Sequence, residues 1–432
     1  MLQTLKKTLG RHTVLLSVCL LAIAVAISMG INFAGQKVNS SVSAQSASGN
    51  VQTSPSVSSS AVSAVTTNTA PGKEMRAVWV PFLSLDMSKE SDKSEAAFQK
   101  KFDSIVSGAK AAGMNTLIVH VRPYGDALYK SDYFPWSHLL SGTQGVDPGY
   151  DPLAYMVTAA HKAGLQIHAW MNPLRIQKSG TPSILAENNP YTVWKKDSAK
   201  AGWAVDYQSD KYYNPAYAQV RKLIADGAKE IAQKYDVDGI QFDDYFYPST
   251  DAAFDKTSYD AYCASANKNG TALSLADWRR ANINALVSLT YSEIKSVKPK
   301  VVFGISPQGN VDNDLRIGAD IASWCSTSGY VDYICPQLYV NFDNPTLPFD
   351  TAVAQWRKLV TNTNIKFYIG LAVYKAGSDA DSGTWKKSSN IITQQVELGR
   401  KTKCDGFMFY SWAYLDNSQT KQEVQNVMKV LN

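Results

Sequence analysis

A (β/α)8 barrel with enlarged strand-to-helix loops is the fold that this chain of 432 residues predicts. Three observations lead to it. Eight short apolar runs of strand-like composition recur from residue 75 onward, and segments of helical period separate them. Several of those segments end on a glycine directly before the next run, as at Gly113 and Gly164. An open doubly wound sheet would share the alternation, but no Gly-rich phosphate turn follows the first run.

Taken in order, the runs are "MRAVWVPF" (75–82), "NTLIVHVRPYG" (115–125), "LQIHAWMNP" (165–173), "GIQFDDYF" (239–246), "VVFGISPQG" (301–309), "YVDYICPQLY" (330–339), "KFYIGLAVYK" (366–375) and "CDGFMFYSW" (404–412). The helical segments between them include "AAFQKKFDSIVSGAKAAG", "LAYMVTAAHKAG", "YAQVRKLIADGAKEIAQKY", "WRRANINALVSLTYSEIK" and "TAVAQWRKLVTN", and "TKQEVQNVMKVLN" closes the chain. Residues 74–432 are therefore expected to form one barrel domain. No internal repeat suggests a solenoid or propeller.

Two segments precede it. Residues 1–35 hold a basic flank and then about eighteen apolar or small residues, a length shared by signal peptides and membrane anchors. Both readings export the barrel to the cell envelope or beyond, either secreted or held at the cytoplasmic membrane by this segment. "VSA" at 42–44 fits a processing site but lies far beyond the apolar run, and "LSVC" lacks the small residue that lipidation of Cys19 would need. Residues 36–73 are Ser, Val, Ala and Thr with almost no charge, a composition too poor in bulky apolar groups to fold, and read as a disordered linker.

Residues 1–73 carry five cations and no acid, which accounts for five of the six units of net positive charge. The barrel is thus nearly neutral, and the pI of 8.8 gives no reason to expect nucleic acid as a partner. Cys263, Cys325, Cys335 and Cys404 match no metal knuckle or redox pair, so buried thiols are expected; a Cys325–Cys335 disulfide is compatible with export. No GxSxG, P-loop or HExxH motif occurs. His120, His168 and Asp243 lack the further spaced ligand that zinc would require, so neither metal nor cofactor is expected, and a monomer suffices.

Active sites of such barrels lie at the C-terminal ends of the strands. Because strand side chains alternate between faces, the inward set is read at every second position. The second run offers His120, Arg122 and Tyr124, the third His168, Trp170 and Asn172, and the fourth Gln241, Asp243 and Tyr245. The fifth adds Ser306 and Gln308, the sixth Gln337 and Tyr339, the seventh Tyr374 and the eighth Tyr410 and Trp412. Amides and hydroxyls beside aromatic platforms suit a sugar, which shows hydroxyls at its rim and C–H groups on its faces. A glycan is the expected partner, and Trp136, Trp194, Trp203, Tyr207, Tyr212 and Tyr213 could extend the groove.

Of the adjacent carboxylates, Asp243 shares the inward parity and is the candidate general acid; Asp244 points the other way and reads as its support. Glycoside hydrolysis ordinarily needs a second carboxylate. The seventh and eighth tips, "LAVYKAG" and "FYSWAY", hold none. What remains is a loop carboxylate (Asp126, Asp312, Asp314 or Asp343) as base, or participation by an N-acetyl group of the substrate.

"MRAVWVPF", "HVRPYGDALYKSDYFPWS", "DPLAYMVTAAHKAGLQIHAWMNP", "VDGIQFDDYFYP", "LADWRRANIN", "GISPQGN" and "ICPQLY" together resemble the glycosyl-hydrolase-like family 10 domain of bacterial exported proteins, clearly over residues 74–375. The resemblance implies a TIM-barrel glycosidase associated with cell-wall glycan, in particular strands stripped of their peptides. "DGIQFDDY" is also similar to the chitinase signature DGxDxDxE, with Tyr245 where the catalytic Glu would stand. Arg279 and Asn282 match the family pattern and would either brace Asp244, the favoured role, or reach into the site. A non-catalytic glycan-binding protein on the same scaffold is the alternative.

Overall fold

The computed structural model describes residues 74–268 and 270–431. The segments expected to be an anchor and a linker, 1–35 and 36–73, lie outside the described residues. Among the described residues no helix is long and apolar enough to cross a membrane.

The described residues form eleven strands: β1 (Met75–Val80), β2 (Thr116–Arg122), β3 (Gln166–Met171), β4 (Arg175–Gln177), β5 (Ala204–Tyr207), β6 (Asp210–Tyr213), β7 (Gly239–Phe242), β8 (Val302–Ile305), β9 (Tyr333–Ile334), β10 (Lys366–Ala372) and β11 (Gly406–Tyr410). Eight of them close a parallel barrel in the order β1-β11-β10-β9-β8-β7-β3-β2. Each of the eight apolar runs contributes one barrel strand. The three short strands β4, β5 and β6 form a separate antiparallel sheet in the loop after β3. That sheet went unforeseen because its strands are only three or four residues long and two of them are largely polar.

Local chemistry sets the helix ends. Ser94 caps the helix Glu95–Ala111 by accepting from the Ala97 N–H, and Asp151 caps Pro152–Lys162 by accepting from Leu153 and Ala154. Gly113 and Gly164, both at φ +75°, then reverse the chain into β2 and β3.

Strand alternation divides the core into two layers. Val78, Val80, Leu117, Val119, Ile167, Ile240 and Phe303 face the surrounding helices, whereas Ala77, Trp79, Ile118, Trp170, Tyr333, Tyr368 and Met408 fill the barrel. Two glycines make room for the large interior rings. A Cβ at Gly304 would lie 2.1 Å from the Tyr333 ring, and one at Gly239 would lie 2.6 Å from His168 Nδ1. Cys325 lies in the outer layer and Cys335 inside the barrel, so the strand wall separates them and both are free thiols.

Candidate active site

β7 ends at Phe242, so Asp243 and Asp244 are the first two residues beyond the barrel wall. Their side chains diverge. Asp243, 3% exposed, turns toward β3: Trp170 Nε1 donates to Oδ2 at 2.9 Å, and Asn172 Nδ2 lies 3.2 Å from both oxygens. Burial pushes this carboxyl up to about 7; nearby Arg175 opposes the rise and the charge of Asp244 adds to it. Asp244, 7% exposed, turns the other way and accepts from Gln337 Nε2 at 2.7 Å. Burial raises its pKa too, against that hydrogen bond.

Around this pair the structure gathers most of the expected side chains. His120 stacks on Trp170 with ring centres 3.6 Å apart and planes 8° from parallel. Neither of its ring nitrogens has a hydrogen-bond partner among the described residues, and burial holds the imidazole neutral. Phe82 meets both His120 and Tyr124 edge-on at 5.5 Å. Across the mouth, Tyr339, Tyr374 and Tyr410 contact one another at 5.8–6.0 Å, and Tyr414 joins Tyr374 at 6.0 Å. Gln308 stands beside Gln337, its backbone N–H held by Asp314 at 3.0 Å. Tyr245, 41% exposed, covers the outer side.

Two residues of the inward set lie deeper. Gln241 accepts from Trp79 Nε1 at 2.6 Å and donates to the Tyr333 hydroxyl at 3.2 Å, while His168 Nδ1 lies 3.1 Å from the same hydroxyl. Burial pushes the His168 imidazole down to about 4. Both sit inside the barrel, beneath the carboxylates.

Four expected placements are corrected. A bulge in β2 pairs His120 with Trp170 but Arg122 with Met171, which reverses the alternation, and Arg122 joins the outer layer. There its guanidinium lies over Phe134 at 4.7 Å and donates to the carbonyls of Tyr124, Asn172 and Pro173. Trp412 belongs to a 3-10 turn after β11, where alternation no longer applies, and donates to the Ile105 carbonyl on an outer helix at 3.1 Å. Arg279 does not brace Asp244: it pairs with buried Asp255 at 2.6 Å and donates to the carbonyls of Ser249 and Asp251. Asn282, on the same helix, instead accepts from Arg221.

The structure also adds a cation that the strand-tip pattern missed. Arg175 opens β4, and its backbone N–H donates to Asn172 Oδ1 at 2.9 Å. Its guanidinium lies over Tyr124 at 5.2 Å and Tyr245 at 5.0 Å. The only hint in the sequence was its place three residues beyond Asn172, in a loop that carried no periodicity. The loop aromatics serve packing: Trp194 meets Trp203 at 5.2 Å and Tyr213 at 5.7 Å.

The loop carboxylates sort by environment. Asp126 is buried against His138 and Gln144, Asp343 is exposed and pairs with Lys387, and Asp312 is exposed. Asp314 is fully buried, with one oxygen on the Gln308 N–H and the other without a hydrogen-bond partner among the described residues. Burial raises its pKa well above the usual range, and the charge of Asp244 adds to that rise.

A closed parallel barrel with a buried carboxylate pair and an aromatic mouth at its strand tips has the architecture of TIM-barrel glycosidases. The solved glycoside hydrolase domain of PgaB (BpsB) from Bordetella bronchiseptica shares the fold, with a TM-score of 0.52 and 12% identity over 82% of this chain and 99% of that one. So does the catalytic domain of beta-amylase from Paenibacillus polymyxa, with a TM-score of 0.54 and 12% identity over 83% and 98%. Residues 74–386 match the family model described as Glycosyl hydrolase-like 10, and the chain belongs to that family. Its relatives include glycosyl hydrolase YngK of Bacillus subtilis, 34% identical over 80% of this chain and 69% of that protein. Glycosyl hydrolase DigH of Escherichia coli is 31% identical over 80% and 82%.

Proposed function

We propose that the protein is an exported glycoside hydrolase that cleaves the N-acetylated glycan of the bacterial cell wall, with Asp243 as general acid. The observation that carries this reading is the environment of Asp243. It is a buried carboxyl at the open end of the barrel, aimed by Trp170 and Asn172, whose pKa of about 7 keeps a proton available near neutrality. The names of the relatives support the reaction class, and the tyrosines at the mouth suit a sugar face.

None of the loop carboxylates is offered as a second protein group. Asp126 is tied to its own loop, Asp312 and Asp343 are on the surface, and Asp314 lies buried against the Gln308 backbone. This favours participation by the substrate. The N-acetyl carbonyl oxygen forms a bond to the anomeric carbon as the glycosidic C–O bond breaks and Asp243 gives its proton to the leaving oxygen. Asp244, oriented by Gln337, stabilises the cationic oxazolinium. Water then opens that ring, its proton passes to the Asp243 carboxylate, and the product retains its configuration.

Reducing-end release from peptidoglycan stripped of its peptides, compared for the parent, Asp243→Asn and Asp244→Asn, tests the reading. Loss of the proton donor in Asp243→Asn is expected to lower kcat by about 10²–10⁴-fold while glycan binding persists. Binding without turnover by the parent would instead make it a glycan-binding protein, and an inverted anomer in the first product would overturn N-acetyl participation.

A further inference from the structure

Arg175 stands in the site and, among the described residues, forms no direct ion pair with a carboxylate. It is half-buried, its Nε donates to the Pro123 carbonyl at 2.8 Å, and the rings of Tyr124 and Tyr245 bracket its guanidinium at 5.2 and 5.0 Å. Among the described residues no carboxylate or carbonyl takes its two terminal amino groups. This contrasts with Arg122 and Arg279, whose guanidiniums are consumed by carbonyls and by Asp255. Its charge is nevertheless felt across the mouth, by Asp243, Asp244, His120 and Tyr410 alike. A planar guanidinium held by its Nε and flanked by rings presents a fixed pair of N–H donors, the arrangement that matches a carboxylate.

We infer that Arg175 is a specificity-determining residue that binds a carboxylate carried by the glycan beside the bond to be cleaved. The inference rests on the substrate reading above. In a cell-wall strand the carboxylate is that of the lactyl ether on N-acetylmuramic acid, and it is free only where the stem peptide has been removed. A peptide joined there by an amide abolishes the negative charge and adds bulk, so Arg175 would distinguish stripped from substituted strands by charge as well as by size. Asn172 links the two residues, accepting from the Arg175 backbone N–H at 2.9 Å and donating to Asp243 at 3.2 Å, so a carboxylate bound by Arg175 lies on the proton donor's side of the mouth.

The test uses the full-length protein and two probes, peptide-stripped glycan strands with free lactyl carboxylates and the same strands after conversion of those carboxylates to primary amides. KM is measured on both for the parent, Arg175→Lys and Arg175→Gln. Amidation is expected to raise the parent's KM by roughly tenfold or more, the scale of a lost charge-assisted pair. That ratio should fall to about one in Arg175→Gln and lie between the two in Arg175→Lys, which keeps the charge but not the planar pair of donors. Because the ratio is taken within each variant, partial loss of folded protein cancels. A parent indifferent to amidation, or an Arg175→Gln variant that keeps the parent's ratio, overturns the inference. Should the parent turn over neither probe, hydrolysis fails as the activity, and equilibrium binding of the two probes decides the question separately. Preference for the carboxylate form that disappears in Arg175→Gln sustains the role of Arg175, while equal binding of both forms by the parent, or binding of neither, removes it.

Discussion

Asp243 and Asp244 show how two identical neighbours acquire different surroundings. One takes N–H bonds from Trp170 and Asn172 and the other from Gln337, so their carboxyls are aimed at opposite sides of the mouth. The sign of the pH dependence follows. A general acid must be protonated, and burial raises the Asp243 pKa to about 7, so activity should be present below that pH and fall about tenfold per unit above it. Arg175 holds this pKa down, and its removal in Arg175→Gln should move the alkaline limb of kcat/KM to higher pH; a limb that stays in place would mean that another group titrates. Both aspartates were legible in the sequence, because two adjacent acids after an apolar run stand out. Arg175 was not, since its role depends on a loop folding back over Tyr124 and Tyr245.

At the scale of single elements, small irregularities decide which side chains reach the site. The bulge in β2 turns Arg122 outward, and the turn after β11 carries Trp412 to the helix Glu95–Ala111. A strict period of two cannot anticipate either one, because both change the period itself. The loop after β7 has its own anchor in the buried Arg279–Asp255 pair, whose guanidinium also gathers the carbonyls of Ser249 and Asp251. Arg279→Met alone strands a buried carboxylate and is expected to cost about 3–5 kcal/mol. Replacing Asp255 by Leu in the same chain should recover most of that loss. Urea unfolding of the two variants checks this, and equal midpoints for the single and double variants would contradict it.

For the whole molecule, the barrel closes on itself through β1 and β11, with Met75 paired to Gly406, and the C-terminal helix is tied back when Arg76 donates to the Leu431 carbonyl. A fragment of residues 74–432, which contains every strand of this closure, is expected to melt within about 2 °C of the full-length protein. A much lower midpoint in scanning calorimetry would show that the preceding segment contributes to folding. By itself the sequence determined the eight-strand alternation, the position of the acidic pair and the aromatic character of the mouth, because hydrophobic period and residue type are properties of neighbours along the chain. Only the tertiary structure decided which carboxylate Trp170 holds, that Arg122 and Trp412 leave the site and that Arg175 enters it. Those outcomes turn on a bulge, a turn and a loop, where the direction of a side chain is set by contacts with residues far away in sequence.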